Sequence, residues 1–299
     1  MDRLEAMQLF VAVAEQGGFA RAARKSGVSA VQVTRQIAAL EEHLNARLFQ
    51  RTTRNVTLTD AGQRYLLRAR SILQDVLEAE AQARSERSIP QGLLSVTAPV
   101  VFGRMHVAPL MCRYLERYKK VRAKLHLADA RQNLIEEGYD AAVRIGALDD
   151  STLVARKLGA TRRVLVAAPR YLKKSRKLKE PRDLAHHDTI QFVAVTPSEE
   201  WKFRKGEATT SVKTEPRFVT NSADAALGHA EMGGGVVVAL SYQVAASVRE
   251  GRLEVVLNDF EPPPLPIHIV YPAAKLLPAK VRALVDLLSE ESNFHFTDH

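Results

Sequence analysis

Apolar positions at helical spacing open the chain. Val33, Ile37, Leu40 and Leu44 follow steps of four and three, which predicts a helix with one face turned to a core. Its other face carries Gln32, Thr34, Arg35 and Gln36. Just before it, Phe19 to Ser26 repeats the pattern over a shorter helix, in which Ala22 and Ala23 are small enough to let a second helix cross closely. Gly27 separates the two and can take the left-handed conformation that a tight inter-helix turn requires, while Ser29 is placed to cap the second helix. The spacing is that of a helix-turn-helix, and the side chains on the free face are types that hydrogen-bond base edges or phosphates. An ordinary helical hairpin with a solvated polar face is the alternative at this point.

Leu48 to Gly62 reads as a short, basic two-stranded wing, where Arg51 and Arg54 are placed to neutralise phosphates at a groove edge. From Leu58 to Arg87 the helical pattern is uninterrupted by Pro, or by Gly after Gly62. Tyr65, Ala69, Ile72, Val76, Ala79 and Ala83 follow alternating steps of four and three, the seam of a two-stranded helical pair, with polar Arg64, Arg68, Gln74, Asp75, Glu78 and Gln82 on the remaining faces. Packing of that stripe on its own domain is the alternative. Ser88-Ile89-Pro90-Gln91-Gly92 ends the helix as a hinge.

Beyond Gly92, short apolar runs alternate with helical patterns, which implies a mainly parallel sheet covered by helices. Strands are expected at 93–97, 123–128 and 140–145, with helices at 99–118 and 133–137 between them. A second set follows: strands at 163–168, 189–193, 218–220, 236–240 and 253–257, and helices at 222–232 and 243–250. A strand at 266–272 and a helix at 279–290 close the chain.

The first ninety residues resemble the amino-terminal domain of LysR-type transcriptional regulators. Met7-Gln8-Leu9-Phe10, Ala22-Ala23, Ser29, Arg35-Gln36-Ile37, Leu40-Glu41, Leu48-Phe49, Arg51-Thr52, Arg54 and Leu58-Thr59-Asp60-Ala61-Gly62 fall where that family has them. Ala30-Val31 stand where Gln-Pro is usual, Thr34 where a serine is usual, Ala20 where a capping Ser or Thr is usual, and Asn45 where a glycine is usual. Thr97-Ala98-Pro99, Gly138 to Gly146 and Ser151 to Arg156 extend the likeness over nearly the whole chain. The resemblance implies an α/β protein in three parts. Residues 1–60 form a winged helix-turn-helix, 61–90 a dimerisation linker helix and hinge, and 91–299 an effector-binding domain built like a solute-binding protein. Its subdomain I spans 92–162 and 268–299, and its subdomain II spans 163–267.

Composition agrees with a regulator. The 299 residues suffice for about two domains, and 46% hydrophobic with 26% charged is ordinary for a soluble protein. No apolar run approaches the roughly 20 residues of a membrane span, so no membrane partner is expected and the protein is expected in the cytoplasm. The net charge of +9 is not centred on the helix-turn-helix, because residues 91–180 carry +11, residues 1–60 only +2 and residues 181–299 carry −5. Solvated faces explain most of that excess; a field for wrapped DNA or an anionic ligand is the alternative. One cysteine, Cys112, excludes an intrachain disulfide and reads as a core or half-buried helix residue.

Catalytic and metal features fade on inspection. Adjacent His186-His187 beside Asp188 cannot both face one metal from a regular element, and Gly233-Gly234-Gly235 lacks the Lys-Ser/Thr of a phosphate loop. No catalytic residues, no metal site and no cofactor are expected.

Ligands of open α/β sheets bind beyond the carboxyl ends of the strands. Thr97-Ala98 before one helix and Asn221-Ser222 before another place hydroxyls and backbone N–H groups at two helix N-termini, a setting for a small anion. Arg144 is placed to supply a cation there or to pair with Asp149, and Phe192 and Thr196 are further candidates for the wall. For DNA the candidates are Ser29, Val31, Gln32, Thr34, Arg35, Gln36, Arg51 and Arg54. The function expected is a homodimeric or homotetrameric regulator that reads inverted-repeat half-sites of double-stranded DNA under control of a small-molecule, anionic effector. The alternative is a solute-binding or enzymatic α/β module with a helical assembly extension, which has no reason to present Gln32, Thr34, Arg35, Arg51 and Arg54 together.

Overall fold

The computed structural model describes residues 2–51, 56–83, 89–148, 153–273, 277–291 and 294–297. The chain divides into two compact units, Met1–Gly92 with Ile135–Gly138 and Pro278–Lys280 in one, and the remainder in the other.

In the first unit, α1 (Arg3–Gln16), α2 (Phe19–Ser26) and α3 (Ala30–His43) precede a wing of β1 (Phe49–Arg51) and β2 (Val56–Leu58), and α4 (Asp60–Ala83) follows. The helices form because each supplies apolar side chains to one core, with Phe10, Val13, Val33, Ile37, Leu48 and Phe49 all buried. The Phe10 ring lies 5.1 Å from those of both Phe49 and Tyr65, and so ties α1 to the wing and to α4. Gly27 ends α2 at φ 68°, and Asn45 adopts φ 47° after α3, as the turn chemistry anticipates. The uncapped start of α2 is Gly18 rather than Ala20, which lies inside the helix. Strands β1 and β2 pair antiparallel, with Phe49 opposite Leu58. Glu41 fixes the entry to the wing by accepting the Leu48 and Phe49 backbone N–H groups at 2.7 and 3.1 Å.

The apolar stripe of α4 divides in two. Tyr65 and Ala69 pack into the core of their own unit, whereas Ile72 is 42% exposed and Val76 is half-buried. Its expected polar partners Gln74, Asp75, Glu78 and Gln82, with Ala79 and Ala83, have side chains outside the described ones, as do Arg51 and all of Thr52 to Asn55.

The second unit holds two sheets. From Gly92 onward the elements are β3 (Gly92–Ala98), α5 (Val100–Phe102), α6 (Ala108–Arg117), β4 (Val121–Leu127), α7 (Leu134–Glu137), β5 (Ala141–Ile145), β6 (Leu153–Thr161), β7 (Arg163–Ala167), α8 (Pro169–Leu172) and β8 (Thr189–Phe192). There follow β9 (Glu200–Lys205), β10 (Ala208–Lys213), β11 (Pro216–Thr220), α9 (Ala223–Glu231), β12 (Val236–Leu240), α10 (Ser241–Arg249), β13 (Glu254–Val256), β14 (Leu265–Pro272), α11 (Ala279–Glu291) and β15 (Phe294–Phe296).

One sheet has six strands in the order β15-β6-β14-β5-β3-β4 and the other five in the order β11-β8-β12-β7-β13. The chain passes from the first to the second between Thr161 and Arg163, and returns between Val256 and Leu265. These crossings make the sheets mixed rather than mainly parallel, since β14 runs antiparallel to β5 and β6, and β12 runs antiparallel to β7.

Two other expectations change. The helix read over 99–118 contains a π-helical segment, Gly103–Val107, between α5 and α6. Pro109 near the start of α6 has no N–H to continue the regular ladder, which accounts for a break at that place. Cys112 is exposed, because the buried face of α6 is Leu110, Met111 and Tyr114. Among the described residues, no helix is long and apolar enough to cross a membrane.

Candidate functional site

The surface of α3 is built by its cap and its stripe. Ser29 Oγ accepts the Gln32 N–H at 3.1 Å, which fixes the first turn, and burial of Val33, Ile37 and Leu40 turns the opposite side outward. Val31 is 78% exposed there, and Thr34 and Arg35 are exposed beside it. An exposed β-branched methyl pair suits a thymine methyl group, and an extended guanidinium suits guanine or phosphate. The Thr34 hydroxyl donates to the Ala30 carbonyl at 2.9 Å, so it faces a ligand as an acceptor.

Gln32 and Gln36 are less free than their spacing suggested. Each donates its side-chain amide to the carboxylate of Glu5 on α1, Gln32 at 3.2 Å to one oxygen and Gln36 at 3.3 Å to the other. A carboxylate only accepts, so both amide nitrogens face Glu5 and both amide oxygens face away. No spacing in the sequence marks Glu5, because its partners lie 27 and 31 residues further along. Arg54 lies outside the described residues, and Arg51 is placed only by its backbone, paired with Val56 in the wing.

In the second unit, Thr97 and Ala98 end β3 and are buried, at 5% and 2% exposure. The backbone N–H just beyond them is already engaged: Val100 donates to Asp129 Oδ1 at 3.0 Å. Burial pushes the Asp129 carboxyl up, against that hydrogen bond, which pulls it down. Ser222 caps α9 by accepting the Ala225 N–H at 3.3 Å, and receives nothing from Asn221, which is exposed. Between the two helical starts, Arg104 and Asp224 form an exposed ion pair at 3.4 Å.

Arg144 donates to the Gln132 carbonyl at 2.6 Å and so fastens the loop after β4; Asp149, its expected partner, lies outside the described residues. Phe192 is a core residue, 2% exposed, because β8 is covered on both faces. Thr196 spends its hydroxyl on the Phe192 carbonyl at 3.0 Å, and it lines a separate pocket beneath β9. The His186-His187-Asp188 run holds no metal cluster among the described residues; His187 is buried against the Tyr171 hydroxyl, 3.2 Å from Nδ1.

Comparison with known proteins matches these two parts separately. Residues 4–63 match the bacterial regulatory helix-turn-helix protein family of lysR type, and residues 87–293 match the LysR substrate binding domain. The chain is similar to an uncharacterized HTH-type transcriptional regulator of Haemophilus influenzae, 33% identical over 95% of this chain and 99% of that one. It is also similar to an HTH-type transcriptional repressor of Pseudomonas aeruginosa, 32% identical over 97% of this chain and 92% of that one. Among solved structures, that of CrgA, a LysR-type transcriptional regulator from Neisseria meningitidis, is 33% identical. It covers 96% of this chain and 98% of its own, with a TM-score of 0.61.

Proposed function

Because this chain belongs to the LysR-type family of transcriptional regulators, and is thereby a DNA-binding regulator and not an enzyme, we propose the following division of labour among its residues. The α3 helix enters the major groove, with Val31, Gln32, Thr34, Arg35 and Gln36 toward base edges and Ser29 holding the first turn. Arg51 and Arg54 of the wing take phosphates, which adds affinity without reading sequence. Two copies joined through α4, as dimer or tetramer, read two half-sites of an inverted repeat. The observation that carries this reading is the face of α3 opposite Val33, Ile37 and Leu40, where Val31, Thr34 and Arg35 stand exposed together.

A small-molecule effector bound between the subdomains, near Thr97, Ala98, Arg144, Asn221 and Ser222, controls the promoter complex by preferring one packing of the effector domains over another. Phe192, which is buried, and Thr196, whose hydroxyl donates to the Phe192 carbonyl, are further candidates for that wall. An anionic effector at this end competes with Asp129, whose carboxylate already accepts the Val100 N–H.

DNase footprinting of the DNA upstream of the gene, with and without a panel of small carboxylates, tests the whole. A protected inverted repeat whose flanking pattern changes with one carboxylate is the expected result. A footprint indifferent to every ligand that stabilises the protein removes effector control from the account.

A further inference from the structure

A cavity lies inside the five-stranded sheet's own subdomain. A pocket of about 260 Å³ sits between that sheet and the β9–β10 hairpin. Its floor is Leu165 and Val238, directly opposite each other on β7 and β12. Its wall is Trp201 and Phe203, two residues apart on β9 and so on one face, with Phe260 at the edge.

The polar groups in this apolar setting are unbalanced. Trp201 is 2% exposed, and its indole N–H has no acceptor among the described residues. Arg163 Nε is also buried without a partner, and Arg163 forms no ion pair among the described residues. Buried donors left in this state call for an explanation, since nearly all are satisfied in folded proteins. The carboxylate on the wall does not supply one: Glu261 is held by Arg162 Nη1, at 3.0 and 2.9 Å to its two oxygens. Lys202 and Glu200, the exposed charges on the lining, are of opposite sign. What remains is one cation and two idle donors around an apolar chamber.

We propose that this pocket binds a small organic carboxylate with a single-ring apolar body, its oxygens on Arg163 and the Trp201 N–H and its ring against Leu165, Val238 and Phe203. The volume falls below that of drug-sized sites, which fits a one-ring ligand. A phosphate or sugar does not match, because most of the lining offers no hydrogen bond. Arg163 is the first residue of β7 and Glu261 lies between β13 and β14, so the pocket touches both segments that join the two sheets. Occupancy therefore acts on the hinge itself, at a place separate from the cleft between subdomains. Only that regulatory consequence rests on the reading of the chain as an effector-controlled regulator; the site does not.

The chain has one tryptophan, and it lines the pocket, so its emission reports occupancy. Full-length protein is titrated with phenylacetate and, separately, with phenylacetamide, which has the same shape without the charge. The expected result is a saturable change with phenylacetate in the millimolar range or below, at least tenfold weaker for the amide, and weakened about tenfold to a hundredfold in Arg163→Met. Phe260→Ala, which removes rim rather than buried structure, is expected to weaken it several-fold and serves if Arg163→Met does not fold. No saturable change in the unaltered protein rejects the ligand class. Equal response to acid and amide rejects the role of Arg163. A signal kept in Arg163→Met and lost in Ser222→Ala places the ligand in the cleft and overturns the site. Mobility shift with the same samples reads DNA binding independently, so loss of the regulator reading and loss of this pocket are told apart.

Discussion

The carboxylate of Glu5 on α1 and the side-chain amide of Gln32 on α3 are joined at 3.2 Å, and the second oxygen of the same carboxylate takes Gln36 at 3.3 Å. Two side chains one turn apart on the helix are thus oriented by a third that does not belong to it. Their amide oxygens and remaining N–H groups are presented in fixed directions before DNA arrives, which lowers the ordering cost of recognition. Glu5→Ala is expected to reduce the preference for operator over unrelated DNA about tenfold, while affinity for unrelated DNA stays level or rises because a negative charge has gone. Competition mobility shifts measure both. An equal loss on the two DNAs would show that Glu5 supports the fold and not the reading.

Arg35→Ala is expected to weaken operator binding by about 1–3 kcal/mol and to relax base preference at one position of each half-site. Selection of bound sequences from a randomised operator checks the second part. Unchanged affinity removes α3 from the major groove.

Gly159 tests the edge of the six-stranded sheet. A side-chain carbon there would lie 2.1 Å from the Phe294 carbonyl oxygen, where β15 runs beside β6. Backbone cannot yield as a flexible side chain does, so Gly159→Ala is expected to cost about 2 kcal/mol or more and to loosen the chain terminus. Thermal unfolding with proteolysis of the last helix and strand provides the measurement, and a wild-type melting point would contradict the packing.

Stability should fall as the medium becomes mildly acidic. Burial holds His106, His187 and His268 below the ordinary histidine range, His268 also through Lys157. The folded protein then binds fewer protons than the unfolded chain, so what these groups contribute is complete above about pH 6.5 and is lost as pH falls from there through their lower folded values. Asp129 and Glu261, pushed up chiefly by burial, act with the opposite sign. Unfolding midpoints between about pH 7.5 and 5.5 should decline, more shallowly once His187, the histidine against Tyr171, is replaced by Gln. A flat profile would mean that the three rings are solvated.

What the sequence made legible follows from where its information lies. Helical periodicity is local, so Val33, Ile37 and Leu40 announced α3, and Gly27 and Ser29 announced its turn and cap. Tyr65 and Ala69 were legible as a stripe but not as to partner, because a seam and a core contact share one spacing. β15 and the antiparallel crossings are not legible, since pairing across a hundred residues leaves no trace in a window of ten, whereas the β9–β10 hairpin pairs locally, Lys205 with Ala208, and its Trp201, Phe203 and Val212 alternate with polar residues. Glu5, Asp129 and Arg163 were missed for the same reason: each acquires its role from a partner brought near only by folding.

Sequence-selective DNA binding is the claim on which the rest depends. It is measured by mobility shift with the DNA upstream of the gene at two salt concentrations, against an excess of unrelated competitor. Binding that weakens with salt yet survives the competitor is the predicted outcome, since phosphate contacts set the salt response and α3 sets the choice of site. Binding erased by the competitor at both salt concentrations would leave only the attraction of a basic surface, and would contradict the assignment of α3 as the element that reads sequence.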